Sequence, residues 1–209
     1  IVSEVDESTA TKLEDEILGT DENQEILSAD GDVSDLETEI NNAAATLELN
    51  KNYTFTASSG EGITISKNLE IDGKGNYIDA NKQGRIFKIN NGYNLTLKNI
   101  IIKNGYHSNG DGGAILCYGT LNLINSQFID NHANVTGGAV YSKFGTVENC
   151  SFTDNYAGNG GAISGSSTAI GCIFNANYAS EDGGAIYNVN AEGCTFIGNC
   201  AEHRGGGMY

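Results

Sequence analysis

Asp130 and Asp154 stand at the same place in two copies of a repeated phrase, each directly before an asparagine. If the copies stack as neighbouring strands, about 4.8 Å separates them. Two carboxyls at about 5 Å are the spacing of a retaining glycosidase, one the nucleophile and the other the acid and base. The next two copies carry Ala176 and Gly198 at that place, however, so a turn-bonding or solvated role accounts for the pair better than catalysis. The histidines are His107, His132 and His203, none set against an acid at a telling spacing, and the arginines are Arg85 and Arg204 alone. Lyase chemistry needs clustered carboxylates for calcium and a base to take a proton. No catalytic residue is assigned. Asp111 in "HSNGDGG" and Glu181 and Asp182 in "SEDGG" lie in glycine-rich turns without the GGxGxD period of calcium-binding solenoids, so no metal ligand or cofactor is expected.

Binding chemistry has a better candidate. Tyr156 and Tyr178 each fall four residues after a recurring phenylalanine, with His132 and Cys200 at the same register. Stacked rings on a flat face would hold a sugar or a peptide. Of the four N-x-S/T sequons, at Asn52, Asn94, Asn134 and Asn149, Asn134 is the glycosylation candidate, because it precedes a Gly-Gly pair in a variable loop. Cys150, Cys172 and Cys194 lie two residues before their phenylalanines. Side chains that run parallel on adjacent strands are poorly aimed for a disulfide, and a buried ladder of free thiols is expected. Cys117 and Cys200 fall elsewhere in the repeat, and their exposure is left open.

The elements that must position these residues follow from the repeat. Gly-Gly pairs open at Gly112, Gly137, Gly160, Gly183 and Gly205, so one copy spans 22–25 residues. Phe128, Phe152, Phe174 and Phe196 recur in register, followed three residues later by Asn131, Asn155, Asn177 and Asn199. Three residues before each phenylalanine come Asn125, Asn149, Gly171 and Gly193, the types that most readily take a left-handed backbone. A period near 22, with short alternating strands and fixed corners, describes one coil of a parallel β-helix. Such a coil cannot bury its own apolar face, so the phrase must recur. The expected fold is all-β, a right-handed parallel β-helix over residues 47–209, regular from Gly112. The phenylalanines would form an internal stack, and the asparagine amides would bond to backbone of adjacent coils.

Residues 1–33 read as an acidic leader or linker, because residues 1–39 hold 14 of the 27 acids and a single base, Lys12. Residues 34–46 read as a capping helix, with Ser34 and Glu37 at capping-box spacing and Leu36, Ile40 and Ala43 on one stripe. Residues 47–111 read as roughly three wider coils. The formal net charge of −16 leaves no basic patch for phosphates, so no nucleic-acid partner is expected. No apolar run approaches the roughly 18 residues a membrane span needs, so no insertion is expected. The start reads as though a targeting segment had been removed. The stop at Tyr209, five residues into a repeat, reads as a cut array, and its open coil would allow end-to-end self-association.

The GGA(I/V) and FxxN repeats resemble those of chlamydial polymorphic outer-membrane proteins. Combined with "NLEIDGKGNYIDANKQGRIFKI" and "NLTLKNIIIKNG", they are also similar to adhesin-like surface proteins of methanogenic archaea, over about residues 35–209. The resemblance implies a right-handed β-helix on a secreted, surface-displayed protein that mediates attachment, in a family with no shared catalytic motif. The expected function is therefore a non-catalytic, extracellular adhesin on the cell surface, possessing no anchor within this chain. Its partner would be a glycan or protein of a cell or host surface. Two other classes remain open: a structural subunit that stacks end to end into a fibre or sheath, and a β-helix polysaccharide lyase or glycosidase.

Overall fold

The computed structural model describes residues 30–209, and the leader read over residues 1–33 lies almost wholly outside them. The first described element, α1, spans Val33–Asn42. Its N-cap is Asp32 rather than Ser34: the Asp32 carboxylate accepts from Val33 N at 2.6 Å, and Asp35 reaches back to Asp32 N at 3.0 Å. Asp32 wins because its carboxylate also accepts from the backbone N–H and hydroxyl of Thr56, which tie the cap to the first coil and hold the carboxyl below its usual range. The helix also ends sooner than residue 46, since Thr46–Glu48 is already a strand. Leu36 and Ile40 are fully buried on the end of the solenoid, and each contributes roughly 1.5–3 kcal/mol.

The last turn of α1 has no basic residue of its own. Lys67, one coil on, supplies the charge, its ammonium donating to Ala43 O and, at 3.2 Å, to Asn41 O. A cation there satisfies open carbonyls and opposes the helix dipole. Lys67→Met is expected to lower stability by about 1 kcal/mol, seen as a fall in Tm that shrinks in high salt. An unchanged Tm would remove Lys67 from the cap.

Beyond the helix the chain winds into three parallel sheets, every pairing between strands one coil apart. The first sheet holds eleven strands, among them Leu69–Asp72, Asn94–Lys98 and Ile115–Ile124; the second holds seven, including Gln127–Ile129 and Ser151–Thr153; the third holds five two-residue strands from Tyr106–His107 to Cys200–Ala201. Burial alternates along most strands, as in Asn94–Lys98, and the inward residues form one core from Leu36 to Val189. The rings of Phe128, Phe152 and Phe174 stack in that core and Phe196 packs half-buried against its end, centroids 4.8, 5.2 and 5.0 Å apart.

Two columns of left-handed residues turn the corners. Lys74, Asn99, Asn125, Asn149, Gly171 and Gly193 precede the second sheet with φ between 49° and 61°, and Lys82, Asn104, Asp130, Asp154, Ala176 and Gly198 precede the third with φ between 52° and 60°. The Gly-Gly pairs make the remaining bend. Gly137 has φ 64°, and a Cβ on Gly138 would lie 2.1 Å from the Gly161 carbonyl. In the wider coil before them Arg85 stands at the place of the second glycine, one residue before Ile86 and Phe87, and Phe87 pairs Ile115. It is 1 % exposed and donates to Gly112 O, Glu61 O and Asp111 O at 2.8–2.9 Å, so its guanidinium rivets three coils.

All five cysteines are free. Cys117 is buried, pairing Ile89 and Ser142 on the inward side of the first sheet, whereas Cys200 is exposed on the third. Burial pushes the Cys150 thiol up to about 12 and that of Cys172 up to about 11. Both therefore stay protonated in the fold while the unfolded chain ionises, and stability is expected to fall as pH rises from about 9 toward 12. At pH 8 a thiol-reactive dye should label Cys200 at least tenfold faster than Cys150 or Cys172, judged by peptide mapping. Equal rates would place the ladder outside the core.

Candidate aromatic binding face

The third sheet is too short to pack much with its own strands; its register comes from the asparagines beside it. Asn155 Oδ1 accepts from both Asn131 N and Asn131 Nδ2 at 3.0 Å, while Asn155 Nδ2 donates to Phe128 O at 3.0 Å and Asn177 Oδ1 at 2.9 Å. Asn131 and Asn177 repeat the pattern, and Asn199 donates to Phe174 O. The next residue on each coil is thereby aimed outward at a fixed height.

Those outward residues are Tyr106, His132, Tyr156, Tyr178 and Cys200, in register on successive strands. The four rings form one half-buried column, with centroids 5.2, 4.4 and 5.3 Å apart. Tyr156 and Tyr178 lie nearly parallel at 12°, His132 and Tyr156 at 34°, and Tyr106 leans 57° from His132. Glu202 accepts from the Tyr178 hydroxyl and pushes that phenol up to about 12. His132 Nε2 lies 2.8 Å from Asn134 Oδ1, so the exposed sequon asparagine borders the column.

A cleft of about 190 Å³ runs beside the rings, lined by Lys82, Tyr106, Asp130, His132, Asp154 and Tyr156 among others. The two aspartates read first as a glycosidase pair are thus in the same cleft as the aromatics, on left-handed corners and both exposed. A general acid is made by enclosing a carboxyl so that it keeps its proton, and neither is enclosed. The turn acids of the other motifs are spoken for elsewhere. Asp111 accepts from Thr136, Glu181 from Asn159, and Asp182 pairs Arg204 at 2.8 Å. Among the described residues no group of three or more His, Cys, Asp or Glu side chains is placed to hold a metal ion.

Sequence reasoning missed Tyr106 and Lys82. The signal for Tyr106 is one residue out of register: it stands six residues before Gly112 whereas His132 stands five before Gly137, so aligning the two Gly-Gly pairs sets Tyr106 against Asn131. Gly105 in place of the ladder asparagine hid it, although Gly105 N still donates to Asn131 Oδ1 at 2.8 Å. Lys82 lies too far before the regular repeats for their period to reach it.

No helix among the described residues is long and apolar enough to cross a membrane. No curated protein and no solved structure matches the chain. Three segments, residues 125–143, 149–166 and 171–189, match the Chlamydia polymorphic membrane protein repeat. Each contains two left-handed corners, one core phenylalanine with its ladder asparagine and one Gly-Gly pair, so the likeness falls on three successive coils that carry three of the column's four rings.

Proposed function

We propose that the chain is a surface-displayed, non-catalytic adhesin module that attaches to a partner surface through the third-sheet column and its cleft. The match to repeats of an outer-membrane-protein type, together with the β-solenoid, supports a cell-surface location and an adhesin-like role. The observation that carries the reading is the half-exposed column of Tyr106, His132, Tyr156 and Tyr178 beside an open cleft. A solenoid needs no rings there to close its core, since its phenylalanines already do so. The lack of any enclosed carboxyl in the cleft supports binding over hydrolysis. The likeness of residues 68–104 to adhesin-like proteins of methanogenic archaea lies outside the matched segments and adds the reading of a secreted protein, with Asn134 exposed for a glycan at the edge of the face.

The test is retention on a panel of intact cells and cell-wall polysaccharides, scored together with release of new sugar ends. Retention without release, lost in Tyr156→Ala/Tyr178→Ala, is the expected result. Release of sugar ends, abolished by Asp130→Asn/Asp154→Asn, would make the cleft an enzyme site. No retention on any surface would sink the adhesin reading.

A further inference from the structure

The cleft has a charge pattern as specific as its rings. Along its corner column the side chains run Lys82, Asn104, Asp130, Asp154, Ala176, Gly198. Asp130 and Asp154 are like charges one strand spacing apart, and among the described residues neither takes part in a salt bridge, although ten such bridges join other residues. The wider surroundings have the same sign: residues 104–203 hold eight acids and one base, Lys143. The rings opposite are stacked on one another, so both faces of Tyr156 are covered, by His132 and Tyr178, and offer no platform to a sugar ring. Tyr106 is the end ring of the column that lines the cleft. It leans 57° from His132, and on its other side its N–H bonds to Gly84, which has no side chain. One ring face is therefore left without a ring partner.

We propose that this cleft binds an arginine side chain of a partner protein, its guanidinium spanning the Asp130 and Asp154 carboxylates with the Tyr106–His132 end of the column as its aromatic wall. The proposal rests on the adhesin reading and names the chemistry of its ligand. A planar guanidinium donates in two directions and stacks on aromatic faces, so it can serve two carboxylates borne on adjacent strands about 4.8 Å apart, which a point-like ammonium does less well. The cleft volume of about 190 Å³ suits one long side chain; pockets that enclose larger ligands begin near 300 Å³. Lys82 at the near end repels a second cation and confines the guanidinium to the aspartate rungs. The acidic surface around the cleft steers a basic segment toward it.

The test is an amide-shift titration of the ¹⁵N-labelled protein with acetyl-Gly-Arg-Gly-amide and with its citrulline and lysine counterparts. The arginine peptide should shift Gly105, Tyr106, His132 and Tyr156 and bind at least tenfold more tightly than the neutral citrulline peptide. Asp130→Asn/Asp154→Asn should abolish that preference, whereas Glu148→Gln/Glu192→Gln, which removes the same charge from the first sheet, should keep it. Equal weakening by both double variants would reduce the effect to bulk charge. Lysine bound as tightly as arginine would overturn the guanidinium assignment, and cellohexaose shifting these amides where the arginine peptide does not would make the cleft a sugar groove. If the wild type holds to cells and Asp130→Asn/Asp154→Asn holds equally well, the inference falls and the adhesin reading stands. If the wild type holds to no cell, the adhesin reading falls while the titration still reports on the cleft.

Discussion

Phe152→Ala is expected to remove about 3–5 kcal/mol of stability, measured as the shift in urea midpoint at constant slope. Phe152 is fully buried, with its ring stacked on Phe128 at 4.8 Å and Phe174 at 5.2 Å. Truncation opens a cavity in mid-column, and the coils on either side cannot close it because their backbones are locked to one another by the strand ladder. Phe144→Ala is the control. Its ring is 59 % exposed on the first sheet, and the same deletion there should change stability by about 0.5 kcal/mol or less. Similar midpoints for the two variants would mean that the phenylalanine column is not the core.

Asn155→Ala should cost about 3 kcal/mol or more, although it deletes only a few atoms. Its amide accepts two hydrogen bonds from Asn131 and donates one to Phe128 O and one to Asn177 Oδ1. The substitution orphans groups in two other coils, and each buried orphan costs about 1–3 kcal/mol. Amide exchange at Asn131 should speed up with it, because that N–H loses its acceptor. Asn175→Ala, on the outward side of the second sheet, should stay within about 0.5 kcal/mol of wild type. A mild Asn155→Ala phenotype with unchanged Asn131 exchange would show that water can replace the ladder.

The repeat carries most of the fold because a stacked coil gives every residue the environment of its equivalent one period away. A recurring Phe therefore marks a core column, and Asn or Gly three residues earlier marks a left-handed corner. Legibility fails where that translation breaks. The N-cap fell to Asp32 through its contact with Thr56, a partner 24 residues distant that no local capping pattern contains. Lys67 closes the helix from another coil in the same way. Cys117 sits off the thiol register, and only the pairing with Ile89 and Ser142 shows that its side faces inward. In the candidate site, His132, Tyr156 and Tyr178 are legible as a register, whereas the cleft is not. It requires knowing that the left-handed corner turns Asp130 and Asp154 toward the same opening as the rings.

The asparagine ladder has a further consequence for how such a chain changes over generations. Each amide takes its acceptor from the following coil and offers its own oxygen to the preceding one, so the joints between the coils of Asn131, Asn155, Asn177 and Asn199 are chemically alike. A whole copy can be duplicated or lost by recombination at any Gly-Gly pair, and the two new neighbours meet with matching donors and acceptors. Length is thereby separated from shape: the rod grows or shortens by one strand spacing while its cross-section persists. The outward residues of each copy, free of that joint, are left to drift or to be selected as the surface requires.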